Sequence, residues 1–166
     1  VVAPFDLDTL AVQADLVIRG TAESTSSSWS GDGRRIFSLT RVSVSSSIKG
    51  QAPTFIEILT PGGSVGKIGQ KVWGAPEFAP GEQVILFLRK RPHPAAALPR
   101  FEVAGLAQGK FSVVREPDGT NKIRQQLDGL GVLQPTGAVR PAPAFEPVSE
   151  RDFLQRIRSA LQRGRQ

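Results

Sequence analysis

PGGSVGKIGQKVWGAPEFAPGEQVILFLRK, residues 61–90, is the stretch on which the fold turns. Its last third holds five successive apolar residues, Val84, Ile85, Leu86, Phe87 and Leu88, after the turn signal Ala79-Pro80-Gly81-Glu82 and before Arg89, Lys90 and Arg91. A run this short, unbroken by polar positions and in part β-branched or aromatic, predicts a strand buried on both faces. A helix would need more length and a cap in front of it. Ahead of the run, Gly62, Gly63, Gly66, Gly69 and Gly74 are interleaved with apolar Val65, Ile68, Val72 and Trp73. A flexible linker has no use for such apolar residues. The segment therefore reads as an ordered loop or irregular hairpin.

Working outward, residues 15–23 predict a strand with Leu16, Ile18 and Ala22 on one face and Arg19 and Glu23 on the other. Residues 24–30 are polar and Ser-rich, and Gly31 and Gly33 mark a turn. Residues 35–48 alternate through Ile36, Ser38, Thr40, Val42 and Val44, over a length that suits a bent barrel strand. Residues 54–60 and 83–89 predict a third and a fourth strand, and residues 100–104 and 109–114 two shorter ones around Leu106-Ala107-Gln108. Residues 6–14 predict a short helix led by Asp6 or Asp8, after an extended arm at residues 1–4. At the other end Ser149 and Asp152 form a capping box, and Phe153, Leu154, Ile157, Ala160 and Leu161 follow at helical spacing with arginines off the stripe.

The resulting expectation is a mainly β fold: a five-stranded OB-like Greek-key barrel with a short N-terminal helix and a C-terminal amphipathic helix. Residues 1–120 would hold the barrel and residues 121–147, rich in Gln, Gly and Pro, an irregular arm. Residues 148–166 would form a helix packed on the barrel.

Composition narrows the function classes. The 166 residues carry a formal charge of +6, which favours anionic partners. With no Cys there is no disulfide, thiolate metal site or cysteine nucleophile. A chain without Met that begins Val1-Val2-Ala3-Pro4 has lost its initiator, either to methionine aminopeptidase or with a cleaved export signal; the expectation is an exported protein, periplasmic or extracellular, with its signal removed. No apolar run approaches the ~20 residues of a membrane span.

Ala14-Asp15-Leu16-Val17-Ile18-Arg19-Gly20-Thr21, then Thr40-Arg41-Val42-Ser43-Val44 running to Ile48-Lys49-Gly50, resembles the opening strands of netrin-like domains. That group includes the tissue inhibitors of metalloproteinases. Pro80-Gly81-Glu82-Gln83-Val84-Ile85-Leu86-Phe87 is similar to the strand after their central loops. The layout is also similar to that of a group of uncharacterised exported bacterial proteins. The resemblance covers residues 14–90 and implies an OB-type barrel. The inhibitors chelate their target's zinc through an N-terminal Cys and carry a disulfide framework. Here Val1 stands first and no Cys is present. Only the fold carries over, and protease inhibition would need another mechanism.

The residues offer little for catalysis. His93, the sole His, lies between two prolines with nothing to hold it against a nucleophile. No His/Cys cluster suits zinc, and no carboxylates have calcium-loop spacing. The Gly62–Lys67 phrase fails the spacing of a phosphate loop and leads into Ile68, where a magnesium-binding hydroxyl would stand. No catalytic residue, metal or cofactor is expected, and the chain reads as non-enzymatic.

Two binding classes remain. One is a protein-binding or assembly module using the barrel loops, with Trp73, Val65, Ile68 and Trp29 as candidate contacts and a protease or a further copy as the partner. Trp29 has a second reading, as a clamp on the barrel end. The other class is a nucleic-acid or acidic-polysaccharide binder using Arg34, Arg35, Arg89, Lys90 and Arg91, with Phe37, Phe55 or Trp73 as stacking platforms. Phe55, beside Ile56 and Ile58, also reads as core.

Overall fold

The computed structural model describes residues 6–127, the backbone of 131–133, and residues 136–141 and 145–164. The arm expected at residues 1–4 lies outside these, as do residues 128–130, 134, 135, 142–144, 165 and 166. In chain order the elements begin with helix α1 (Leu7–Gln13) and strands β1 (Leu16–Trp29), β2 (Ile36–Lys49), β3 (Phe55–Pro61), β4 (Gly63–Val65), β5 (Ile68–Gln70) and β6 (Gln83–Lys90). There follow β7 (Arg100–Val103), β8 (Lys110–Arg115), β9 (Asn121–Arg124), β10 (Gly131–Leu133), β11 (Val139–Pro141), β12 (Val148–Ser149) and helix α2 (Glu150–Arg163).

β6 is the axis of the molecule because residues 84–88 have no exposed surface at all. β1, β2 and β3 form an antiparallel meander, β3 pairs β7 in parallel, β7 pairs β6, and β6 returns to β1. These five strands close a barrel, which abolishes the open edges a flat sheet would expose. Strand periodicity sends Val84, Leu86 and Leu88 inward, to meet Ile18, Val42, Ile56 and Ile58. Ile85 and Phe87 point the other way, into a second core with Leu10 of α1 and with Phe153 and Ile157 of α2. The unbroken apolar run is thus explained: each face of β6 has its own core.

The edge of β6 away from β1 is divided between two partners, β7 at residues 88–90 and β8 at residues 83–86. β7 and β8 run in one direction and are two halves of a single strand, interrupted by a 3₁₀ turn at Leu106–Gly109. Gly109 closes this interruption at a place where a side chain has no room. A Cβ there would lie 2.6 Å from the Ala104 carbonyl oxygen and 3.0 Å from that of Phe87. Beyond the turn β8 leaves the barrel and pairs β9, which pairs β12, making a wing that carries the two helices.

Local chemistry sets the helix ends. The Asp6 carboxylate accepts from the Thr9 N–H at 2.7 Å, and these bonds hold its pKa below the ordinary carboxylate value. Lys49 places its ammonium on the carbonyls of Ala11, Val12 and Ala14, where α1 ends with its negative dipole end. Ser149 caps α2 by accepting from the Asp152 N–H. Glu150, in the first turn, takes Arg19 of β1 at 2.6 Å and Asn121 of β9 at 3.0 Å, and so ties helix, wing and barrel together.

Three readings of the sequence change. The first strand does not end at residue 23: β1 runs on through the Ser-rich segment to Trp29, each residue from Ser24 onward paired with β2. Ladder bonds and cross-strand hydroxyl pairs outweigh the weak local preference of serine. Residues 121–124, placed in the irregular arm, form β9, because Ile123 is fully buried between the wing and α2. The boundary drawn at residue 120 therefore falls in the turn of the β8–β9 hairpin. Phe55 is not core: alternation turns Ile56 and Ile58 inward, and the Arg41 guanidinium lies 4.0 Å from the Phe55 ring centre.

Candidate functional site

β3 meets β7 only at Glu57 and Ile58, so its upper half faces the place where β8 has turned away. The long β3–β6 connection fills that seam. Its first part is the β4–β5 hairpin, whose tip residues Val65 and Ile68 are register partners. Its second part crosses to the wing. The Gly74 carbonyl accepts from Ala107 N–H at 3.0 Å, the Glu77 carbonyl from Lys110 Nζ at 2.5 Å, and Phe78 packs on the barrel core.

Glu82 locks the end of this loop. Its carboxylate accepts from Ala79 N–H at 3.1 Å, Lys110 Nζ at 3.0 Å and Ser112 Oγ at 2.7 Å. Burial alone would raise its pKa. The Ser112 hydrogen bond, the Lys110 charge and the Ala79 N–H together outweigh that and hold it below the ordinary glutamate value.

On this braced loop the apolar side chains point outward. Trp73 is 68% exposed, Ile68 54% and Val72 41%. The Lys71 ammonium sits 4.3 Å from the Trp73 ring centre and restrains it by a cation–π contact. Val65 is half-buried. Trp29 is also half-buried, at the last rung of β1 opposite buried Ile36.

The hairpin tip between β1 and β2 lies at the same end of the barrel as this loop. Gln70 of β5 joins them, accepting from Ile36 N–H at 2.7 Å and donating to the Arg34 carbonyl at 3.2 Å. Arg34 and Arg35 are exposed there. Asp32 accepts from Ser30 Oγ and from the Arg34 N–H, and these bonds lower its pKa. Arg89, Lys90 and Arg91 lie at the opposite end, since Leu88 pairs with Leu16 at the start of β1. Arg89 is bonded to Gln13, and Arg91 is ion-paired with Glu102 at 3.3 Å. The two basic clusters are not brought together.

His93 accepts a hydrogen bond at Nδ1 from the Ala95 N–H, 3.1 Å away in its own loop. No group of three His, Cys, Asp or Glu side chains that could hold a metal occurs among the described residues. No described helix is long and apolar enough to cross a membrane.

A feature that the sequence reading passed over is the barrel mouth under the hairpin, a cavity of about 480 Å³ walled by hydroxyls. Thr25 and Thr40 pair there at 2.9 Å, as do Ser27 and Ser38 at 2.9 Å. The signal was the appearance of Ser38 and Thr40 at inward positions of an otherwise apolar alternation. Neither the protein-family models nor the curated proteins provide a match to this chain.

Proposed function

We propose that this chain is a non-enzymatic binding module of netrin-like type, working outside the cytoplasm, that engages another protein through the β3–β6 loop. The observation that carries the reading is Trp73. A large aromatic is 68% exposed while the backbone beside it is tied to the 3₁₀ turn ahead of β8 through the Gly74–Ala107 hydrogen bond. Displaying an anchor on a braced loop keeps the ordering cost of binding low, and exposed tryptophans are strongly enriched among residues that dominate interface energy. Ile68 and Val72, on the same connection, supply further apolar surface. The resemblance at residues 14–90 supports the barrel type, and the similarity in layout to exported bacterial proteins supports the extracytoplasmic setting.

The polyanion reading draws less support, because Arg34 and Arg35 are a barrel length away from Arg89, Lys90 and Arg91. The two readings differ in salt response: polyanion binding weakens steeply with added salt, because counterion release then gains less entropy, whereas an aromatic anchor persists. Capture from an extracytoplasmic fraction at low and high salt separates them. A protein retained at high salt by the native chain and lost with Trp73→Ala is the expected result. Recovery of nucleic acid or polysaccharide alone, released by salt and indifferent to Trp73→Ala, would overturn it.

A further inference from the structure

We infer that the mouth of the barrel is a second binding site, independent of Trp73, for a small neutral polyhydroxylated ligand of about monosaccharide size. The cavity of about 480 Å³ falls in the range of pre-formed small-molecule sites. It is bounded by the upper halves of β1, β2 and β3, by the glycine-rich hairpin, and by Phe78 on the far side.

The hydroxyls of this cavity can be followed one by one. Ser38 donates to the Gly62 carbonyl at 2.8 Å, so in the Ser27–Ser38 pair the proton must come from Ser27. Ser27 Oγ thus keeps its acceptor capacity. The Thr25–Thr40 pair uses one of its two protons and leaves the other. Thr60 is 5% exposed, yet its hydroxyl has no hydrogen-bond partner among the described residues. No fully enclosed side-chain polar atom of the described residues lacks a partner, so the Thr60 hydroxyl must open onto the cavity that it lines. At 5% exposure that hydroxyl can be reached only through the cavity, so whatever enters there, water or ligand, is its hydrogen-bond partner.

The free positions are therefore mixed, donors and acceptors side by side, and this suits a ligand whose own groups are hydroxyls or amides. Charge points the same way. Among the described residues that line it, only Lys71 and Glu77 are ionisable, and they are of opposite sign, so this lining has no net charge with which to select an ion. Phe78 offers an apolar surface against which the C–H face of a sugar ring packs. Gly63 lets the hairpin close over the mouth: its φ is 134°, and a Cβ there would collide with the hydroxyls of Ser27 and Ser38. The backbone itself is thus pressed against the polar wall.

The test is a titration of the isotope-labelled protein with glucose and N-acetylglucosamine, with glucuronate and glucosamine as charged controls, read by amide NMR. The expected result is saturable shifts at Thr60, Gly62, Gly63 and Gly69 with a neutral sugar in the millimolar range or tighter. Thr60→Val, which keeps the shape and removes the hydroxyl, should weaken that binding about tenfold. Trp73, whose ring does not line the cavity, is the control: Trp73→Ala should leave sugar binding unchanged even though Lys71 and Val72 border both surfaces. If Thr60→Val does not fold by circular dichroism, Ser27→Ala serves in its place. The inference is overturned if neither neutral sugar shifts these amides, if a charged sugar binds more tightly, or if binding survives the loss of the hydroxyl undiminished.

Discussion

Removing the charge of Glu82 tests how the Trp73 loop is held in place. Glu82→Gln preserves size and one acceptor oxygen, but it replaces a carboxylate that takes three hydrogen bonds, from Ala79, Lys110 and Ser112. The side chains of Glu82 and Lys110 are 21% and 14% exposed, so Lys110 would lose its counter-charge in a largely enclosed setting and keep only neutral partners such as the Glu77 carbonyl and the Phe78 ring, 5.0 Å away. Weakening charge-assisted hydrogen bonds at a partly buried site costs about 1–3 kcal/mol. For a domain of this size each kcal/mol lowers Tm by about 2–4 °C. Urea unfolding of the native chain and the variant at neutral pH measures the difference. The pH dependence supplies a separate check. The folded-state pKa of Glu82 is lowered from its ordinary 4.5, so its contribution is fully present above that value and is lost as pH falls through the folded pKa. The native chain should therefore lose its advantage over Glu82→Gln as the pH falls below 4.5. Hydrogen exchange should also quicken at residues 74–79 in the variant. Parallel stability curves for the two proteins down through this range, or a neutral-pH difference under about 0.5 kcal/mol, would refute the reasoning.

Two further predictions concern the wing. Phe153→Ala removes a ring 1% exposed and 4.7 Å from that of Phe111, and should cost about 3–5 kcal/mol in chemical denaturation; a loss under about 1 kcal/mol would mean that α2 contributes little to the core. Gly109→Ala places a methyl against the Ala104 and Phe87 carbonyls, and overpacking there should cost about 1–3 kcal/mol; a neutral result would show that the 3₁₀ turn can shift to admit it.

Much of the architecture is written in local patterns. The apolar run at residues 84–88 states that both faces of one strand are buried, because period-2 geometry leaves no other place for five successive apolar side chains. The capping residues Asp6 and Ser149 and the stripe through Phe153, Ile157 and Ala160 mark both helices, because helix ends and faces are satisfied by residues a few positions apart. What no window of sequence contains is pairing. That Ser24 to Ser28 lie in a strand depends on β2 standing opposite them. That residues 121–124 join the sheet depends on β8 having turned away from β7 at a glycine with no room for a methyl group. The two candidate surfaces follow the same division. Trp73 stands out in the sequence as an aromatic among glycines, and tertiary contacts decide only that its loop is braced and its ring exposed. The hydroxyl-lined mouth gathers Thr25 and Ser27 from β1, Ser38 and Thr40 from β2 and Thr60 from β3. Those residues are up to 35 positions apart in the chain, and only the closure of the barrel gives them a common cavity.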